Sequence, residues 1–206
     1  MHDLKKALSD IGDIRQQMAA GTLFRGFGPA VIACSGLLAL ATAAAQTIWF
    51  SEAGHSPFLF IGLWVATALV SCGLIGIEML ARTRRHHGGL ADEMIINAVE
   101  HFLPAAAAGA AIGVVILRFA PQTAWMLPGL WAILVSVGLF ASVRFLPRSV
   151  AIAGAWYFLA GMVALIVSSR TETLIPWAMG VPFGAGQFVL AGILHLAFGG
   201  DHDGLR

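Results

Sequence analysis

Charge is what this sequence has least of. Only 11% of its 206 residues are Asp, Glu, Lys or Arg, where a water-soluble domain carries about 25%. A chain so poor in charge and 58% hydrophobic cannot turn most of its surface to water. Lysine is confined to Lys5 and Lys6, ahead of the first apolar stretch. No amine therefore lies within the membrane, which excludes a retinal-type Schiff base. Cysteine is limited to Cys34 and Cys72, both inside apolar stretches. There is no CxxC pair and no disulfide framework, and the two thiols read as small packing residues. Charge of one sign is also lacking. The net charge is +1, which gives no field to draw in nucleic acid or an anionic substrate. Catalytic signatures are missing as well: no GxSxG, HExxH, P-loop or GxGxxG occurs, nor an acidic pair beside a nucleophile. No catalytic residue is assigned, and a non-enzymatic role is expected. No span carries the regularly spaced arginines of a voltage sensor, and no TVGYG-type filter is found.

What is present is a series of long uncharged windows: residues 26–51, 53–77, 101–117, 119–143, 149–169 and 173–200. Crossing a hydrocarbon core of about 30 Å takes roughly 20 apolar residues in a helix. Each window is apolar all round rather than alternating, so outer-membrane strands are excluded. The expected fold class is all-α, a polytopic membrane bundle of six transmembrane helices preceded by an amphipathic helix. Three parts follow: a leader over 1–25, a bundle over 26–200 and a tail over 201–206. Connections are short, at about 51–56, 81–92, 119–124, 146–149 and 170–174, so neighbouring helices are expected to form antiparallel hairpins.

Orientation follows from the basic residues in short loops. With the N-terminus inside, Lys5, Lys6, Arg15, Arg25, Arg82, Arg84, Arg85, Arg144, Arg148 and Arg206 lie inside. Only Arg118 and Arg170 lie outside, so ten and two make up the 12 Lys and Arg of the chain. Both termini are therefore expected in the cytoplasm. Trp49, Trp125 and Trp177 fall at the outer ends of helices one, four and six, where an aromatic belt lies. A faint repeat links Gly62-Leu63-Trp64 to Gly129-Leu130-Trp131. In the leader, Leu4, Ala7, Ile11, Ile14 and Met18 recur at helical spacing among charged residues. That segment, residues 1–20 above all, is a candidate for lying on the inner leaflet or for docking a partner protein or a second copy.

Four groups are candidates for chemistry. The third window is only 17 residues, about 25 Å at 1.5 Å per residue. Either Glu100 sits at the inner interface, or a longer helix from near Met94 carries Asn97, Glu100 and His101 into the membrane. An intramembrane carboxylate is costly and points to function. In the sixth window, Pro182 sits among Gly180, Gly184 and Gly186, next to Gln187. Either the helix breaks there to form a site, or it packs closely through Gly180 and Gly184 as a small-xxx-small pair. Gly109 and Gly113 form a similar pair. His101 and His195 both lie toward the inner side, where two imidazoles can hold a haem axially; they are also the weak metal candidates, with Cys34 and Cys72 at similar depth. Finally, Arg82, Arg84 and Arg85 with His86 and His87 make a basic inner loop suited to anionic head groups, with His202 in the tail. The candidate ligand-binding set is thus Glu100, His101, Gln187, Pro182 and Asn97.

The Asp13–Met18 leader and the Pro182–Gln187 segment together resemble a group of uncharacterised small bacterial inner-membrane proteins. Those carry an amphipathic leader with an IRxxM pattern and a Gly-Pro-Phe-Gly style last span. The resemblance covers mainly the two ends. It implies a bacterial inner-membrane location and transfers no catalytic residue. Three functional expectations result. The chain binds or senses a small ligand or docks a partner; or it is a small oligomeric transporter or channel using Glu100 and Gln187; or it is a redox subunit holding haem between His101 and His195. No other cofactor is expected, and no nucleic acid.

Overall fold

The computed structural model describes residues 28–49, 57–86, 91–143 and 146–199. Among them are α1 (Pro29–Trp49), α2 (Pro57–His86), α3 (Ala91–Phe119), a 3-10 segment (Pro121–Met126) that runs directly into α4 (Leu127–Ser142), α5 (Val150–Ser168) and α6 (Trp177–Gly199). No strand occurs among the described residues. The leader, the tail and His86, His87 and His202 as side chains lie outside the described residues.

Proline placement explains much of the segmentation. Pro29, Pro57 and Pro121 each open a helix, where the missing N–H is an orphan anyway and the fixed φ is helical. Pro128 is the second residue of α4, and Pro147 and Pro176 lie just before the starts of α5 and α6. Of the eight prolines, only Pro104 and Pro182 lie inside helices. Among the described residues, six spans are long and apolar enough to cross a membrane: Pro29–Ile48, Pro57–Ala81, Phe102–Phe119, Pro121–Ser142, Val150–Ser168 and Trp177–Ala197. The chain is an integral membrane protein of the helical-bundle class.

Around the bundle the helices follow the order α2, α1, α6, α5, α4, α3, with α2 and α3 touching lightly. The first and last spans therefore pack on each other. The α4 span is the most enclosed, with 44% of its apolar stretch buried, against 17% for α2 and 11% for α3. The expectation of tight hairpins holds between α1 and α2 and along α3 to α6, but it is weakest for α2 and α3. The reason is helix length. The 81–92 loop is largely helical, because α2 runs on to His86 and α3 starts at Ala91. Both helices outrun their apolar segments, α2 by the turn that follows Ala81 and α3 by the turns before Phe102.

Close packing is built on glycine. A Cβ on Gly129 would lie 2.6 Å from the Gly161 carbonyl oxygen, and one on Gly161 would lie 2.8 Å from that of Gly129. This pair brings the α4 and α5 backbones together. Gly180 faces Ala43, and Gly184 faces Leu40 with 2.7 Å to its side chain, so α6 lies tightly on α1. Without a hydrophobic drive in lipid, such contacts supply the association energy.

Three indoles cross the hairpins. Trp64 on α2 donates to Gln46 Oε1 on α1 at 2.9 Å. Trp131 on α4 donates to the Gly109 carbonyl on α3 at 3.0 Å. Trp156 on α5 donates to the Pro182 carbonyl on α6 at 3.0 Å. The two Gly-Leu-Trp copies thus give two hairpins the same link, from the second helix back to the first. Tyr157, buried beside Phe183 in an edge-on ring contact, donates only a long 3.4 Å bond to the Phe183 carbonyl. Its ring matters more than its hydroxyl. Tyr157→Phe is expected to change stability by less than about 0.5 kcal/mol in thermal unfolding, since bonds this long are weak.

Candidate functional site: a groove between α1 and α2

The helices α1 and α2 do not close on each other along their whole length. Between them lies a half-open cavity of about 240 Å³, lined by Leu38, Thr42, Ala45, Gln46, Leu63, Ala66, Thr67 and Val70. These residues recur at helical spacing on each element, so one face of each helix forms one wall. All eight lie within the spans, so the groove lies at membrane depth. The volume falls just below the roughly 300–1,000 Å³ of small-molecule pockets, enough for part of a ligand rather than a whole large one.

Its walls are apolar, with a polar seam. Thr42 Oγ1 lies 2.8 Å from Thr67 Oγ1. Each hydroxyl also lies within bonding distance of its own helix, Thr42 at 2.9 Å from the Leu38 carbonyl and Thr67 at 2.8 Å from that of Leu63. One turn further along α1, Gln46 is 1% exposed. Its Nε2 donates to the Phe60 carbonyl at 3.2 Å, and its Oε1 accepts from Trp64. Trp64, Phe60 and Ile61 in turn belong to an apolar cluster with Ala39, Ala43, Leu127 and Met179. The seam is thus held by the core on one side and faces the groove on the other.

The residues expected from sequence are placed elsewhere. α3 is longer than the uncharged window and runs unbroken through Asn97, Glu100 and His101. The apolar stretch starts only at Phe102, and Glu100 is exposed. Pro104 lacks the N–H that would have bonded the Glu100 carbonyl. The side chains of Asn97 and His101 lie outside the described residues. His195 is exposed on α6, a helix that packs on α1, α5 and α4 and not extensively on α3. Cys34 and Cys72 are free and exposed. Among the described residues no group of three His, Cys, Asp or Glu is placed to hold a metal.

The region around Pro182 resolves to close packing: α6 is helical throughout. The Pro182 carbonyl accepts from Trp156, Gly184 packs on Leu40, and Gln187 faces Gly36 of α1, its Cβ 3.0 Å from where a Cβ would sit. Gln187 and Glu100 are therefore carried by helices on different sides of α4. Gln187 Oε1 is buried without a hydrogen-bond partner, as are the hydroxyls of Ser136 and Ser168.

Thr42, Gln46 and Thr67 were not singled out from sequence. The available signal is an amide in an uncharged window, with a threonine one turn before it. Comparison with protein-family models, with curated proteins and with solved structures finds no match to this chain.

Proposed function

We propose that this protein is a non-enzymatic membrane binding protein that takes an apolar ligand laterally from the bilayer into the α1–α2 groove. The observation that carries this reading is the groove itself: an opening at membrane depth, apolar on its walls, with a fixed hydroxyl pair and a buried amide along one side. Apolar walls with a few convergent polar groups are the usual form of a small-molecule site. Polar side chains at this depth are costly unless they serve packing or binding. We place the protein in the bacterial inner membrane with both termini in the cytoplasm. The ten-to-two distribution of basic residues supports that orientation, and the likeness of the two ends to small inner-membrane proteins supports the location.

The test is a plug. Ala66 lines the groove and is exposed, so Ala66→Phe fills the opening without entering the core. Native mass spectrometry of protein extracted in mild detergent is expected to show a co-purifying apolar molecule on the wild type and its loss in Ala66→Phe. Equal retention by both proteins, or none on either, overturns the reading.

A further inference from the structure

The hydrogen atoms around the groove decide what it accepts. Three short contacts involve the two threonine hydroxyls: Thr42 to Leu38, Thr67 to Leu63, and Thr42 to Thr67. Two hydroxyls carry only two hydrogens between them. One hydrogen must bridge the pair, because two oxygens at 2.8 Å with none between them repel. The other is taken up by a carbonyl of its own helix. Both donors are therefore spent inside the protein, and what the pair has left is lone pairs.

Gln46 adds no free donor to the groove. Its Oε1 receives the Trp64 indole, its Nε2 donates to the Phe60 carbonyl, and at 1% exposure the amide is closed to a ligand. The groove thus offers lone pairs, and none of its described lining residues is charged.

Resting on the reading of the groove as a binding site, we propose that its ligand is an uncharged apolar alcohol. Its hydroxyl donates to the Thr42–Thr67 pair, while its hydrocarbon lies along Leu38, Leu63 and Val70. A hydroxyl supplies a donor without a charge, which is the complement required. A carboxylate has no hydrogen for the threonine lone pairs and meets no countercharge. An ammonium has the hydrogens but brings a charge that no lining residue answers, and it is as costly to bury. An alkane leaves the groove's polar atoms unanswered.

The experiment uses the full chain in phosphatidylcholine nanodiscs, titrated with hexadecan-1-ol, hexadecane, hexadecanoate and hexadecylammonium and read by native mass spectrometry. The alcohol is expected to bind about tenfold more tightly than the alkane, about the gain that one net hydrogen bond supplies, and more tightly than either ion. Thr42→Val with Thr67→Val removes the lone pairs at nearly constant shape and is expected to erase the preference while keeping alkane binding. Thr42→Ser with Thr67→Ser keeps the hydroxyls, is expected to keep the preference, and controls for folding. Equal binding of alcohol and alkane by the wild type, or a preference that survives the valines, overturns the alcohol while leaving the groove as a site. Loss of all four probes from the wild type, or binding unaffected by Ala66→Phe, overturns the groove itself.

Discussion

Gly129→Ala is expected to destabilise the bundle by about 1–3 kcal/mol or more, the usual range for forcing extra atoms into a packed interior. The added carbon would sit 2.5 Å from Leu165 Cγ and 2.6 Å from the Gly161 carbonyl oxygen. A flexible side-chain tip can swing away, but a backbone carbonyl moves only with its helix. The α4 and α5 backbones would have to separate at their closest point, in the most enclosed part of the molecule. Gly161→Ala meets the Gly129 carbonyl from the other side and is expected to cost a similar amount. The two losses should not add, because one separation relieves both. The matched control is Gly73→Ala. That site has nothing within 4 Å of an added carbon, so the substitution is expected to be neutral or to stabilise by up to about 1 kcal/mol through helix propensity. Thermal unfolding of the three single variants and of the Gly129→Ala, Gly161→Ala double variant in one detergent measures all of this. A Gly129→Ala protein that melts with the wild type would show that α4 and α5 are not held at this distance.

Gln46→Leu is expected to cost about 1–3 kcal/mol, because it strands the Trp64 indole N–H in a site only 4% exposed. The leucine fills the space, so the loss is one of polar satisfaction and not of volume. Pairing it with Trp64→Phe removes the stranded donor. The double variant is expected to recover part of the loss, giving a favourable coupling between the two positions in a double-mutant cycle. Strictly additive losses would mean that the 2.9 Å contact contributes nothing in the folded protein.

The spans themselves could be read from the chain with little error. The window 26–51 became Pro29–Ile48, 119–143 became Pro121–Ser142, and 149–169 became Val150–Ser168. The physics is one-dimensional there: charge is excluded from hydrocarbon, so its absence marks the segment. The helical extensions of α2 and α3 were harder, since Arg82 and Arg85 mark the end of the apolar run but not the end of the helix. The segment around Pro182 fits two arrangements by sequence alone. Close packing through Gly180 and Gly184 is the arrangement found. Proline inside a membrane helix is tolerated where neighbours satisfy the freed groups, and no sequence signal tells that from a break. The groove was least legible. It depends on which face of α1 turns to α2, and a helix apolar on every side carries no periodicity to report it. Thr42, Gln46 and Thr67 acquire meaning only together, across 25 residues of chain.

The three cross-hairpin indoles bear on how such a chain is made. Each bond joins helices that are consecutive in sequence: α1 with α2, α3 with α4, α5 with α6. Each pair therefore carries within itself the acceptor for its own tryptophan. A hairpin leaving the ribosome can shield that N–H from lipid before any later helix has been synthesised, since in hydrocarbon an unanswered donor costs free energy. What remains for final assembly is contact between surfaces already rid of these donors, with glycine setting the distance. Synthesis by pairs is thus written into the placement of three side chains.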